Sequence, residues 1–152
     1  MSKFKIYLKS ILIPVAVGVI IGLITSSDVQ YNQLIQPSFA PPGILFPIVW
    51  TILYTLMGIS YGILKSDGQV DSEVNFVYYL QLFVNALWSI IFFTLEWRLF
   101  AFFWILLLII LVVMMIIEFY DKNKVAGLLQ IPYLLWLIFA AILNFSVYLL
   151  NR

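Results

Sequence analysis

Trp50 and Tyr54 stand four residues apart, Gln81, Asn85 and Trp88 fall at i, i+4 and i+7, and Tyr133, Trp136, Ala140 and Asn144 make a third set at helical intervals. On α-helices each set shares one face, so three segments would offer stripes of indole, phenol and carboxamide to a common interior. Such groups stack and orient a partner; they do not trade protons at neutral pH. The chain has no histidine and no cysteine, which removes the usual general base, the commonest metal ligand, thiolate nucleophiles and disulfides. What is left is recognition. Flat aromatic walls with a few amides and almost no charge suit a large, planar, apolar ligand. The plainer account, aromatics filling space and amides tying helices together, fits Trp97, which lies at a loop where an interface anchor is expected.

The elements that must position these stripes are membrane spans. Of 152 residues, 64% are hydrophobic and 10% charged, against about 25% charged in an ordinary soluble domain. Apolar windows long enough to cross a hydrocarbon core of about 30 Å recur at about 6–26, 44–64, 76–95, 99–119 and 125–150. Runs such as "FFWILLLIILVVMMII" do not alternate as barrel strands would. The first window is too long for a signal-peptide core and no small-residue cleavage pattern follows it, so it is expected to be a retained helix. The fold class is therefore an all-α integral membrane protein, a single domain forming a five-transmembrane-helix bundle.

Charge sets the orientation. Lys3, Lys5, Lys9, Lys65, Lys122 and Lys124 collect on one side, with Arg98 and Arg152 on the other, so the N-terminus is expected in the cytoplasm of a bacterial-type cell. A net charge of +1 without a basic patch excludes nucleic acid as a partner. The long first loop, residues 27–43, then lies outside. Gln30, Asn32, Gln33 and Gln36 make it rich in amides, and Pro37, Pro41 and Pro42, with Pro47 just beyond, stiffen it. It is expected to act as a rigid lid. The other connections are short, so consecutive helices run antiparallel.

Two glycine pairs, Gly18 with Gly22 and Gly58 with Gly62, either mark a dimer face or seat the first helix on the second. The fourth span carries Trp104 among aliphatic residues and is expected to face lipid or a partner subunit. Pro132 is expected to free a carbonyl inside the bundle for Tyr54 or Asn85 to satisfy.

Three stretches carry a resemblance across nearly the whole chain: "PSFAPPGILFPIVWTILYTLMGISYG", "LQLFVNALWSIIFF" and "IPYLLWLIFAAILNFSVYLLNR". Their motifs are W-x-x-x-Y-x-x-x-G, Q-x-x-x-N-x-x-W-x-x-x-F-F and P-Y-x-x-W-x-x-F-x-x-x-L-N. Together they resemble the tryptophan-rich sensory protein / translocator protein family, the peripheral-type benzodiazepine receptors. The resemblance implies a five-helix bundle, usually a homodimer, with a pocket open toward the first loop. It further implies binding of porphyrins such as protoporphyrin IX, and of isoquinoline carboxamides and benzodiazepines. Some bacterial members promote light- and oxygen-dependent breakdown of protoporphyrin, for which tryptophans matching Trp50 and Trp136 matter. The chain departs from the family pattern at Phe39 and Ile44, where tryptophan is frequent, and at Trp104, where an acidic residue is common. Leu143, Tyr148 and Arg152 match a weak sterol pattern.

The expected ligand-binding set is thus the stripe residues Trp50, Tyr54, Gln81, Asn85, Trp88, Trp136, Ala140 and Asn144, joined by Phe39, Pro41 and Pro42 from the loop and by Phe100. Trp50 and Trp136 would carry any photochemistry, and no metal or resident cofactor is required. Two other readings stand beside ligand binding. A carrier of tetrapyrrole or lipid-like solutes would want an internal repeat or an intramembrane charge pair, and neither is visible. A ligand-responsive sensor would act through helix packing or dimerisation.

Overall fold

The computed structural model describes residues 2–25 and 33–152. Its helices are α1 (Lys3–Thr25), α2 (Leu45–Ser66), α3 (Ser72–Ser89), α4 (Arg98–Lys122), α5 (Lys124–Leu128) and α6 (Ile131–Asn151), with a π turn at Ile90–Thr94 prolonging α3. They form five segments long and apolar enough to span a membrane. Gln30 and Asn32 of the amide-rich loop lie outside the described residues.

Local signals set the helix ends. Gly68, at φ 69°, closes α2 with a left-handed cap in which Gln69 N–H donates to Leu64 O and Gly68 N–H to Lys65 O. Asp71 caps α3 by accepting from Val74 N–H at 2.9 Å. Asn123 caps α5 by accepting from Val125 and Ala126 N–H. The last span, expected as one helix over 125–150, is broken at Leu129–Gln130 into α5 and α6. Pro132 sits in the first turn of α6, where no intrahelical acceptor loses its donor. Tyr54 and Asn85, expected to satisfy a carbonyl there, instead bond to each other.

The core runs through Met57 and Leu64 of α2, Tyr78 and Leu82 of α3, Ile105, Leu108, Met115 and Phe119 of α4, and Tyr133 and Leu137 of α6. α4 is thus not simply a lipid-facing helix. One face packs on α3 and α6, and Trp104 Nε1–H donates to the Val84 carbonyl at 2.8 Å. Aliphatic residues all round its circumference hid that face from the sequence. The peripheral helix is α1, whose buried residues are Ser10, Pro14 and Thr25 and whose main neighbour is α2.

The glycine pairs serve that neighbour. A Cβ on Gly58 would run into Ile11 Cα and the Ser10 carbonyl, one on Gly62 would lie 2.7 Å from the Tyr7 ring, and one on Gly18 would lie 2.5 Å from the Tyr54 ring. Close approach of α1 to α2 uses three of the four glycines within one chain. Gly22 alone meets nothing within 4 Å.

At the end carrying the short α2–α3 connection, Asp71 also pairs with Lys122 Nζ at 2.8 Å. That ammonium, helped by the Val74 N–H, holds the Asp71 carboxyl below the usual carboxylate range. A carboxyl lowered in the folded state adds stability above its unfolded value near ~4 and loses it as pH falls through the folded value. Asp71→Asn keeps the cap acceptor and drops the charge. In detergent it should melt slightly below wild type at about pH 6, and the gap should shrink as pH falls below about 4. A constant gap across that range would show that the ion pair adds nothing.

Candidate functional site

Toward the opposite ends of α1, α2 and α6, the helices part around a cavity of about 890 Å³, within the roughly 300–1,000 Å³ typical of small-molecule sites. Each element brings a different kind of wall. α2 contributes Phe46, Trp50 and Tyr54; the end of α3 and the π turn bring Trp88, Phe92 and Phe93; α6 brings Trp136, Ala140 and Asn144. α1 supplies a low wall of Val15, Gly18, Val19 and Gly22, and the loop closes with Gln33, Gly43 and Ile44. Every described lining residue is uncharged.

The π turn shapes this site. Leu95 N–H reaches back five residues to the Ile90 carbonyl at 2.9 Å, widening the backbone by one residue as such turns do. Phe92 stacks on Trp88 at 5.1 Å and 23°, and Phe93 meets Trp88 edge-on at 6.1 Å. Trp88 Nε1–H donates to Asn144 Oδ1 at 3.0 Å, and Asn144 Nδ2–H donates to the Arg98 carbonyl at 2.9 Å. One carboxamide therefore fixes an indole of the wall to the start of α4. Trp136 leans on Phe46 at 5.8 Å and Phe139 at 5.4 Å, and its buried Nε1–H has no acceptor among the described residues.

Behind the aromatic wall runs a chain of polar side chains. Tyr54 Oη–H donates to Asn85 Oδ1 at 2.6 Å, Asn85 Nδ2–H to Tyr133 Oη at 2.6 Å, and Tyr133 Oη–H to Gln81 Oε1 at 2.8 Å. Gln81 Nε2–H ends the run on Met57 Sδ at 3.5 Å. Every donor in it points the same way along the chain, which lets α2, α3 and α6 bury four polar residues without leaving a strong acceptor unmatched. Trp50 covers it, tilted on Tyr54 at 5.5 Å and edge-on to Tyr133 at 6.3 Å.

The expected site residues thus separate into layers. Trp50, Tyr54, Trp88, Trp136, Ala140 and Asn144 line the cavity. Gln81 and Asn85 do not; they lie behind Tyr54, and their part is to hold it. Phe39 is half exposed and meets Phe139 edge-on at 6.2 Å, so it buttresses Trp136 from outside. Pro41 and Pro42 are also absent from the lining, with the Pro42 carbonyl accepting from Leu45 N–H at 3.0 Å at the start of α2. Phe100 is placed elsewhere, against Trp97 and Trp104 beside a separate recess of about 370 Å³. The register of α4 turns it away from the cavity. Missing from the expected set were the α1 wall and the π-turn phenylalanines. The glycine spacing of α1 was the available signal for the first, and the Phe92–Phe93 pair of the quoted motif for the second.

Comparison with known proteins agrees in extent. The profile of the TspO/MBR family matches residues 10–150. The tryptophan-rich protein TspO of Archaeoglobus fulgidus is 42% identical over 145 residues, covering 93% of this chain and 94% of that one. Protein CrtK of Rhodobacter capsulatus is 33% identical over 134 residues, 86% of this chain and 83% of its own. The translocator protein of Sus scrofa is 32% identical over 126 residues, 80% and 75% of the two chains. With five apolar spans, an uncharged aromatic cavity and a match along nearly its full length, this integral membrane protein belongs to the TspO/MBR family.

Proposed function

We propose that the protein is a membrane receptor for flat apolar molecules, protoporphyrin IX foremost, which lodge between the indoles of Trp50, Trp88 and Trp136. Isoquinoline carboxamides and benzodiazepine-type compounds would compete for the same place. The observation that carries this reading is the cavity itself: about 890 Å³, uncharged and walled by aromatic rings from three helices and a π turn. With neither histidine nor cysteine in the chain, the metal-free macrocycle is favoured, held by stacking rather than by axial ligation. The lysine-rich ends would face the cytoplasm and the cavity would open outward.

Turnover under light is the extension of this reading. Light excites the bound porphyrin, which takes an electron from an adjacent indole and passes it to molecular oxygen; the indole radical recovers an electron from the macrocycle, and the superoxide so formed adds to the resulting porphyrin radical cation, so the net change is addition of O2 to the porphyrin and no acid or base side chain is needed. Trp50 and Trp136 stand in the wall together with Trp88, and the family resemblance gives the first two this role.

Titrating protoporphyrin IX into the detergent-purified protein should quench indole fluorescence saturably. The double variant Trp50→Phe/Trp136→Phe should bind about tenfold more weakly, as expected for about 1.4 kcal/mol of lost ring contact, and should slow porphyrin loss under illumination in air. Unchanged fluorescence of folded wild-type protein would refute the receptor reading. Equal rates of loss in the two proteins would refute turnover alone.

A further inference from the structure

Asn151, in the last turn of α6, makes an unusual set of bonds. Its Oδ1 accepts from the Ile35 backbone N–H at 2.9 Å, while Nδ2–H donates to the Ile35 carbonyl at 2.8 Å and to the Val147 carbonyl at 2.8 Å. The carboxamide thus pairs with both backbone groups of one loop residue, as a neighbouring strand would, and both of its N–H hydrogens are used. The bond to Val147 comes from its own helix and pre-orients the group, so little rotamer entropy is lost in grasping the loop.

Ile35 belongs to a strap, Gln33 to Ile44, that gives Gln33, Gly43 and Ile44 to the cavity wall. Within the strap, Leu34 and Ala40 rest on the cluster of Ile91, Phe92, Ala101, Leu143 and Val147. The helix that carries Asn151 also carries the wall residues Ala140 and Asn144. One helix therefore holds both the wall and the fastening of the strap. We infer that Asn151 is a positioning residue, a clasp whose carboxamide keeps the strap seated and so slows escape of whatever the cavity holds. The consequence for escape rests on the receptor reading above; the clasp itself does not.

The chain lacks cysteine, so a spin label on Ser38→Cys, an exposed strap position, reports on the strap alone. In ligand-free detergent samples, Asn151→Ala should raise the mobility of that label while lowering the melting temperature only slightly. Its protoporphyrin IX dissociation rate should rise about five- to tenfold, the worth of two partly solvated hydrogen bonds, with the association rate little altered. Asn151→Asp supplies a stricter reading. Its carboxylate sets a bare oxygen against the Ile35 carbonyl, so label mobility should be high at neutral pH and fall as the carboxyl is protonated near pH ~4 and regains a donor. Label mobility equal to wild type in Asn151→Ala overturns the clasp, and raised mobility with an unchanged dissociation rate overturns its role in retention. Failure of wild type to bind porphyrin would sink the receptor reading instead, and the label would still decide the clasp.

Discussion

Gly22→Phe is expected to weaken protoporphyrin IX binding by about 100-fold or more, roughly 2.7 kcal/mol, without lowering the melting temperature. Gly22 lies on the inward face of α1, one turn beyond Gly18 and two beyond Pro14, and belongs to the cavity lining. A Cβ built there meets nothing within 4 Å, so a benzyl group has room to enter and takes the place that a flat ligand would fill. Replacing this glycine, in the last turn of α1, also removes a helix-propensity penalty of up to about half a kcal/mol, so the protein should be as stable as before. Affinity measured by porphyrin absorption and stability by thermal unfolding should therefore separate completely. Wild-type affinity in this variant would mean that the ligand sits elsewhere, and the receptor reading of the cavity would fall with it.

How much of this was legible beforehand follows from what residue spacing can encode. Positions at i, i+4 and i+7 establish that residues share a face, and the stripes of α2, α3 and α6 do converge. Spacing does not encode depth. Gln81, Asn85 and Trp88 share a face, yet only Trp88 reaches the cavity, because the two amides are taken up by the hydroxyls of Tyr54 and Tyr133 behind its wall. The π turn was invisible for a related reason: apolar spacing reports a shared face, not a change of backbone bond from i−4 to i−5 such as Leu95 N–H to the Ile90 carbonyl. Phe100 was misplaced because α4 is aliphatic all the way round, so its register has no reference face. Of the glycine pairs, Gly18, Gly58 and Gly62 lie at a close approach and Gly22 does not, and choosing between a dimer face and an intramolecular seam needed coordinates, since the same spacing serves both. The Asn151 clasp joins residues 116 positions apart through one carboxamide, and no periodicity could announce it.

The seam between α1 and α2 leads to the opposite behaviour at Gly58. Gly58→Ala should destabilise the protein by about 2 kcal/mol net: overpacking against backbone costs about 3 kcal/mol, offset by about 1 kcal/mol of helix propensity. The cost is high here because the new methyl would meet Ile11 Cα and the Ser10 carbonyl, which are backbone atoms with no rotamer to yield, so α1 must move away bodily. Gly58→Val should be worse again, since a branched side chain needs still more separation. Moving α1 also withdraws Gly18 from the Tyr54 ring and loosens the low wall of the cavity, so porphyrin affinity should fall together with the melting temperature. Gly22→Phe and Gly58→Ala thus probe two glycines of the same helix pair with contrary signatures, one losing ligand while stable and one losing stability first. Unfolding measured in detergent decides the matter: a Gly58→Ala protein as stable as wild type would show that α1 is not seated on α2 through this glycine, and the α1 wall of the site would have to be placed afresh.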